Sequence, residues 1–178
     1  MEKVLITGGS GFIGRYFVDR LKHAKVVIFD LKAPDYNSHA SYFKGDVRNF
    51  NEMLEASQGC SMIIHLAAMH HDFGIPDTAY FETNVEGAKN LVAIADKLDI
   101  GKVINFSSVA VYGHKGNPGP TNESTEPDPT NAYGKSKLEA EAILSNWAKS
   151  NAQNRLIQVR STVVFGPHNL AKVLNLIK

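Results

Sequence analysis

A short apolar run, Val4-Leu5-Ile6, leads directly into Thr7-Gly8-Gly9-Ser10-Gly11-Phe12-Ile13-Gly14, and Phe12 to Leu21 then carries apolar residues at helical spacing. A strand that turns on glycines into a helix leaves few folds open. Glycine permits the tight turn and lets bare backbone approach a ligand, while the helix N-terminus offers N–H donors and the positive end of its dipole. The turn can be read as Gly9-x-Gly11-x-x-Gly14 or, in a wider spacing, as Gly8-x-x-Gly11-x-x-Gly14. In this context it points to the pyrophosphate of a dinucleotide, held by Gly8, Gly11, Phe12, Ile13 and Gly14.

The rest of the chain repeats the alternation of short strands and longer helices. Lys25 to Asp30, Tyr42-Phe43, Ser61 to Leu66, Lys102 to Phe106 and Leu156 to Val159 have strand character. Helices are predicted near Asn51 to Ser57, from about Thr78 to Leu98, and over Ala132 to Lys149. Such alternation implies right-handed βαβ units, and so a Rossmann-type α/β fold: a doubly wound parallel sheet, here a single domain over residues 1–178. One segment breaks the rhythm. Gly113 to Thr130 holds Pro118, Pro120, Pro127 and Pro129 and reads as a long irregular loop on the substrate side, of the kind that carries function or disorder.

Composition narrows the function classes. A formal net charge of +1, with no basic run, gives no reason to expect nucleic acid or a membrane surface as partner. The single cysteine, Cys60, cannot form an internal disulfide, and Met1-Glu2-Lys3 does not open a signal peptide; a cytoplasmic protein is the expectation. Cys60 has no activating neighbour in sequence and reads as structural, and Trp147 as packing or interface.

Three further features place chemistry on this frame. Asp30 closes the second strand, where this fold sets the carboxylate that bonds the adenosine ribose. It repels a 2′-phosphate, so NAD is expected over NADP. Tyr133 and Lys137 stand four apart at the start of a predicted helix and share its face. An unperturbed tyrosine, with a pKa of about 10, is a poor base at neutral pH, and a nearby ammonium favours its phenolate. Ser107-Ser108 stand at the end of the fifth strand, and strand C-terminal ends are where ligands bind in open α/β sheets.

With these motifs in order the chain resembles the extended short-chain dehydrogenase/reductases of the NAD-dependent epimerase/dehydratase family. The likeness covers the whole chain. It also includes Gly45-Asp46-Val47-Arg48, His65-Leu66-Ala67-Ala68, Asn84-Val85-x-Gly87, Val111-Tyr112-Gly113 and Arg160-x-x-x-Val164-Phe165-Gly166-Pro167. The resemblance implies NAD as cofactor and a nucleotide-sugar as substrate. It makes Tyr133 the general base, Lys137 the residue that bonds the nicotinamide ribose and tunes that base, and Ser108 the hydroxyl on the substrate oxygen, with Ser107 beside it. Asp46 and Val47 match an adenine-contacting pair, Ala67 and Ala68 the wall beside the nicotinamide half, and Asn84 a structural polar residue, with Leu66 and Asn84 grouped in the cofactor set.

In the implied chemistry Tyr133 takes a proton from a sugar hydroxyl as hydride leaves the same carbon; returning the hydride to the other face inverts that centre. Family dehydratases carry an acid/base pair directly after the hydroxyl residue. Here Val109-Ala110 stand there, and neither moves a proton, so dehydration is not expected. A 4-epimerase is the leading reading; a related oxidoreductase and a non-catalytic NAD-binding module are the alternatives. Family members run well beyond the Arg160–Pro167 motif, so a truncated chain with its substrate-binding lobe largely missing is expected. Pairing of two copies through the two long helices is also implied. His65, His70, His71 and Asp72 could hint at a metal, but they lack clear ligand spacing, and no metal is expected. His70 and His71 read instead as loop residues above the nicotinamide or in solvent.

Overall fold

Along the first strand, β1 (Lys3–Thr7), Val4 and Ile6 point to one side and Leu5 to the other, yet all three are buried. A strand buried on both faces needs a helical layer on each. The chain, seen in a computed structural model that describes residues 1–70, 74–113 and 120–169, supplies those layers. Five further strands follow: β2 (Lys25–Asp30), β3 (Ser41–Lys44), β4 (Met62–His65), β5 (Lys102–Ser108) and β6 (Arg155–Ser161). They form one six-stranded sheet in the order β3-β2-β1-β4-β5-β6, with parallel pairing throughout. The order reverses beside β1, where such a sheet opens a crevice at its carboxyl edge.

Each face has its own core. Val4, Ile6, Val26, Ile28 and Ile64 pack with Val18 of α1 (Phe12–Arg20). On the other face Leu5, Phe29 and Ile63 meet α2 (Phe50–Ala56), α4 (Glu86–Lys97) and α5 (Ala132–Ser150) through Met53, Leu91, Ile94, Leu144 and Trp147. Each fully buried aliphatic or aromatic side chain is worth about 1.5–3 kcal/mol, so these layers hold the sheet. Trp147 donates through Nε1 to Asp96 at 2.9 Å, which ties α5 to α4 inside the chain. Cys60 is buried, as a structural cysteine should be.

The helix expected from Thr78 to Leu98 is present, running from Asp77 to Lys97, but it is not α-helical throughout. It consists of α3 (Asp77–Tyr80), a turn of π-helix over Phe81–Val85, and α4. A π turn inserts a residue into the helical ladder, and here it accompanies a buried amide, Asn84, which binds two other segments. No local pattern reports such a turn, because its cause lies across the fold. The loop expected over 113–130 is irregular where described, although residues 114–119 lie outside the described residues. Among the described residues no helix is long and apolar enough to cross a membrane.

Candidate active site

One cleft of about 1690 Å³ runs along the carboxyl edge of the sheet. It exceeds the roughly 300–1,000 Å³ of a single small-molecule pocket. Gly8, Gly11, Phe12, Ile13 and Gly14 line one end, Asp30, Asp46 and Val47 the adjoining wall, and Leu66, Ala67 and Ala68 its floor. Ser107, Ser108, Tyr133 and Lys137 line the other end. Asn84, grouped with these from sequence, is not in the cleft. Its carboxamide lies behind the wall, accepting from the Met69 amide at 2.8 Å and donating to the Met69 carbonyl at 3.2 Å and to Ser136 Oγ at 2.9 Å.

The glycine turn is shaped to receive a bare, negatively charged group. Gly11 caps α1 without a side-chain acceptor, so the first-turn amides are left to a ligand. Gly8 has φ +69°, and a Cβ there would stand 2.6 Å from the Ala67 amide. That close approach sets the phosphate turn against the end of β4. Tyr36 braces it from outside, donating to the Gly9 carbonyl at 2.7 Å beneath the Arg15 guanidinium. Asp30 accepts from the Ser10 amide at 3.1 Å and the Lys32 amide at 3.2 Å, which aims its carboxylate into the cleft mouth. Asp46 is engaged on both oxygens by Arg48, which holds its carboxyl below the usual range.

At the far end the helix start decides the geometry. Asn131 caps α5 by accepting from the Gly134 amide at 2.7 Å. A Cβ on Gly134 would collide with the Ala110 carbonyl, so only glycine lets the first turn of α5 pack against the 3-10 turn Val109–Tyr112 that follows Ser108. This brings the helix of Tyr133 to the strand end of Ser108. Ser136 donates to the Tyr133 carbonyl at 2.8 Å and receives Asn84, so the π turn props the same helical turn from behind. Lys137 is buried and donates through Nζ to the Phe106 carbonyl at 2.6 Å. Burial pushes its ammonium down to about 8, against the upward pull of Glu141. Ser107 Oγ is buried without a hydrogen-bond partner, a polar atom at the cleft that a ligand could satisfy.

His65, met in sequence as part of a strand-end motif, turns out to be wholly enclosed, with Nδ1 2.7 Å from Thr7 Oγ1. Burial, then the Lys137 charge, pushes its pKa down to about 3, so the ring is neutral. The unfolded chain takes up that proton first as pH falls from about 6.5, so the stability tied to neutral His65 is whole above that pH and is lost toward pH 3. Wild type is therefore expected to lose about 2–3 kcal/mol more than His65→Gln between pH 6.5 and pH 4.5. Thermal melts of both proteins check this, and parallel losses would rule it out. His70 lines the cleft with Nδ1 3.1 Å from the Ala68 carbonyl, while His71 and Asp72 lie outside the described residues. Among the described residues no three His, Cys, Asp or Glu side chains gather as metal ligands.

Sequence reasoning passed over one cluster. Glu141, Arg160 and Tyr112 meet at the cleft's inner wall, with Arg160 Nη2 2.7 Å from Glu141 Oε2 and Nη1 2.7 Å from the Tyr112 hydroxyl. Arg160 was visible only as part of a motif, and nothing local connects it to Glu141.

Known proteins are similar to this chain in sequence and in architecture. The chain is 37% identical over 99% of its length to an N-acetyl-alpha-D-glucosaminyl-diphospho-ditrans,octacis-undecaprenol 4-epimerase of Escherichia coli O157:H7, covering 53% of that protein. It is 30% identical over 94% of its length to a decarboxylating sterol-4-alpha-carboxylate 3-dehydrogenase of Candida albicans, covering 52% of it. The crystal structure of a Thermus thermophilus UDP-glucose 4-epimerase in complex with NAD superposes with a TM-score of 0.84 at 26% identity, over 93% of this chain and 57% of that one. The chain thus spans about half the length of the relatives it matches. The family model described as NAD dependent epimerase/dehydratase matches residues 4–177, and the chain belongs to that family.

Proposed function

We propose that this chain carries the cofactor-binding and proton-transfer half of an NAD-dependent 4-epimerase acting on a sugar diphosphate. The observation that carries the reading is the convergence of Ser108, Tyr133 and Lys137 at one end of a cleft whose other end is the glycine turn. NAD fits the residues present: an uncapped helix start, a turn that a Gly8 Cβ would block, and the unpartnered Ser107 hydroxyl. Gly8, Gly11, Phe12, Ile13 and Gly14 would hold its pyrophosphate and Asp30 its adenosine ribose. Asp46 and Val47 would border its adenine, and Leu66, Ala67, Ala68, Ser107 and Lys137 its nicotinamide half. Bound NAD supplies a hydride acceptor that can give the hydride back.

The remaining chemistry belongs to the chain. Tyr133 removes a proton from the sugar hydroxyl and later returns it, and the Lys137 ammonium stabilises the phenolate that this requires. Ser108 Oγ, which accepts from the Ala110 amide at 3.1 Å, keeps its own proton to donate to the sugar oxygen. Val109 and Ala110 follow it directly and offer no acid for loss of water.

The full-length protein, incubated with NAD and either UDP-N-acetylglucosamine or an undecaprenyl-diphospho sugar, is expected to produce the C4 epimer by NMR with no net NADH absorbance. The lipid-linked substrate is included because the Escherichia coli relative acts on one. Stoichiometric NADH would instead support the oxidoreductase reading, which the Candida relative favours. NAD binding without conversion of either sugar would leave a binding module. Cofactor choice has its own test. Asp30→Ala is expected to narrow the preference for NAD over NADP by about tenfold or more, because a carboxylate so placed repels a 2′-phosphate. Isothermal titration with both dinucleotides measures this, and an unchanged ratio would remove Asp30 from the role.

A further inference from the structure

The face of α5 that carries Tyr133 and Lys137 continues one turn to Glu141, since residues four apart share a helix face. Glu141 is only 4% exposed, and a carboxylate so buried persists only with partners. Arg160, near the end of β6, provides them: its Nε lies 3.0 and 3.2 Å from the two carboxylate oxygens and its Nη2 2.7 Å from Oε2. Such a bidentate clamp fixes orientation as well as charge. The same guanidinium bonds the Tyr112 hydroxyl and lies 4.8 Å over its ring, so it joins α5 to the turn that follows Ser108. Lys137 does not pair with Glu141. It reaches the Phe106 carbonyl instead.

We propose that Glu141, clamped by Arg160, is a positioning residue for the proton chemistry of Tyr133 and Lys137: it is the fixed counter-charge of the buried lysine ammonium, and the clamp keeps that ammonium directed along β5 rather than onto the carboxylate. The inference rests on the reading of Tyr133 and Lys137 given above. Lys137 interacts with Glu141 on its own helix and with neutral His65 on β4; Arg160 of β6 and Tyr112 of the 3-10 turn gather at Glu141, and Tyr80 of α3 packs against the ring of Tyr133. Among these described residues Glu141 is the only carboxylate.

The test is the Lys137 titration, followed by NMR of the chain carrying isotope-labelled lysine, with neither NAD nor sugar present. Loss of an opposing charge moves such a group by about one unit or more. Glu141→Gln is expected to lower the Lys137 midpoint by about that much, and Arg160→Gln to raise it by freeing the carboxylate toward the ammonium. The double variant Glu141→Gln/Arg160→Gln retains a neutral hydrogen-bonded pair, guards against a buried unpaired charge, and is expected to lower the midpoint by less than Glu141→Gln alone, because the Arg160 charge leaves with the carboxylate. A double variant that titrates as wild type overturns the proposal, as does a downward shift in Arg160→Gln. In turnover by the full-length protein at pH 7.5, Glu141→Gln is expected to cut kcat about tenfold with KM within about twofold; a change in KM alone also overturns it. A chain that converts no sugar yet shows these shifts loses the proposed activity and keeps the Glu141–Lys137 coupling, so the two failures are distinguishable.

Discussion

Tyr133→Phe is expected to lower epimerase turnover in the full-length protein by about 10²–10⁴-fold, the usual contribution of a positioned acid/base group. It should leave NAD affinity and melting temperature close to wild type. The ring is half-buried and meets Tyr80 with centroids 6.1 Å apart, a contact that phenylalanine retains. The cap of α5 and the Ser136 bond both involve backbone near Tyr133 rather than its hydroxyl, so phenylalanine keeps both. Steady-state rates and a thermal melt on the same preparation measure both halves of the expectation. Turnover within tenfold of wild type would exclude Tyr133 as the base, and the proton would then have to leave through another group.

The second large effect concerns the opposite end of the cleft. Gly8→Ala is expected to abolish measurable NAD binding and to lower the melting temperature. A non-glycine residue at φ +69° costs about 1–2 kcal/mol by itself. The added methyl would also stand 2.6 Å from the Ala67 amide and 2.8 Å from its Cα, which are backbone atoms that cannot swing aside. A combined cost of about 2–4 kcal/mol corresponds to a fall of about 5–15 °C in a chain of this size. Titration calorimetry and a melt test it. Unaltered NAD affinity would show that the Gly8–Ala67 junction is not part of the dinucleotide site.

Much of the fold was legible because its causes are local. Apolar residues at period two or at helical spacing report strands and helices wherever a face is buried, and Val4-Leu5-Ile6 followed by glycines carries a turn type in its composition. The π turn at Phe81–Val85 was not legible. It accompanies the hydrogen bonds of Asn84 to Met69 and Ser136, partners 15 and 52 residues away. For the same reason sequence grouped Asn84 with the cofactor residues, while the fold places it behind the cleft as a prop for the turn of Tyr133.

By itself, then, the sequence determined the alternating architecture, the glycine cradle, and the spacing that puts Tyr133 and Lys137 on one helix face. Each of these depends on steric freedom or periodicity within a few residues. Only the tertiary structure decided which groups surround them. It enclosed His65 and left it neutral, pressed the start of α5 against the turn after Ser108 through the absent side chain of Gly134, and locked Glu141 to Arg160 across 19 positions of chain. Burial and charge pairing are properties of neighbours in space, and the sequence order does not state them.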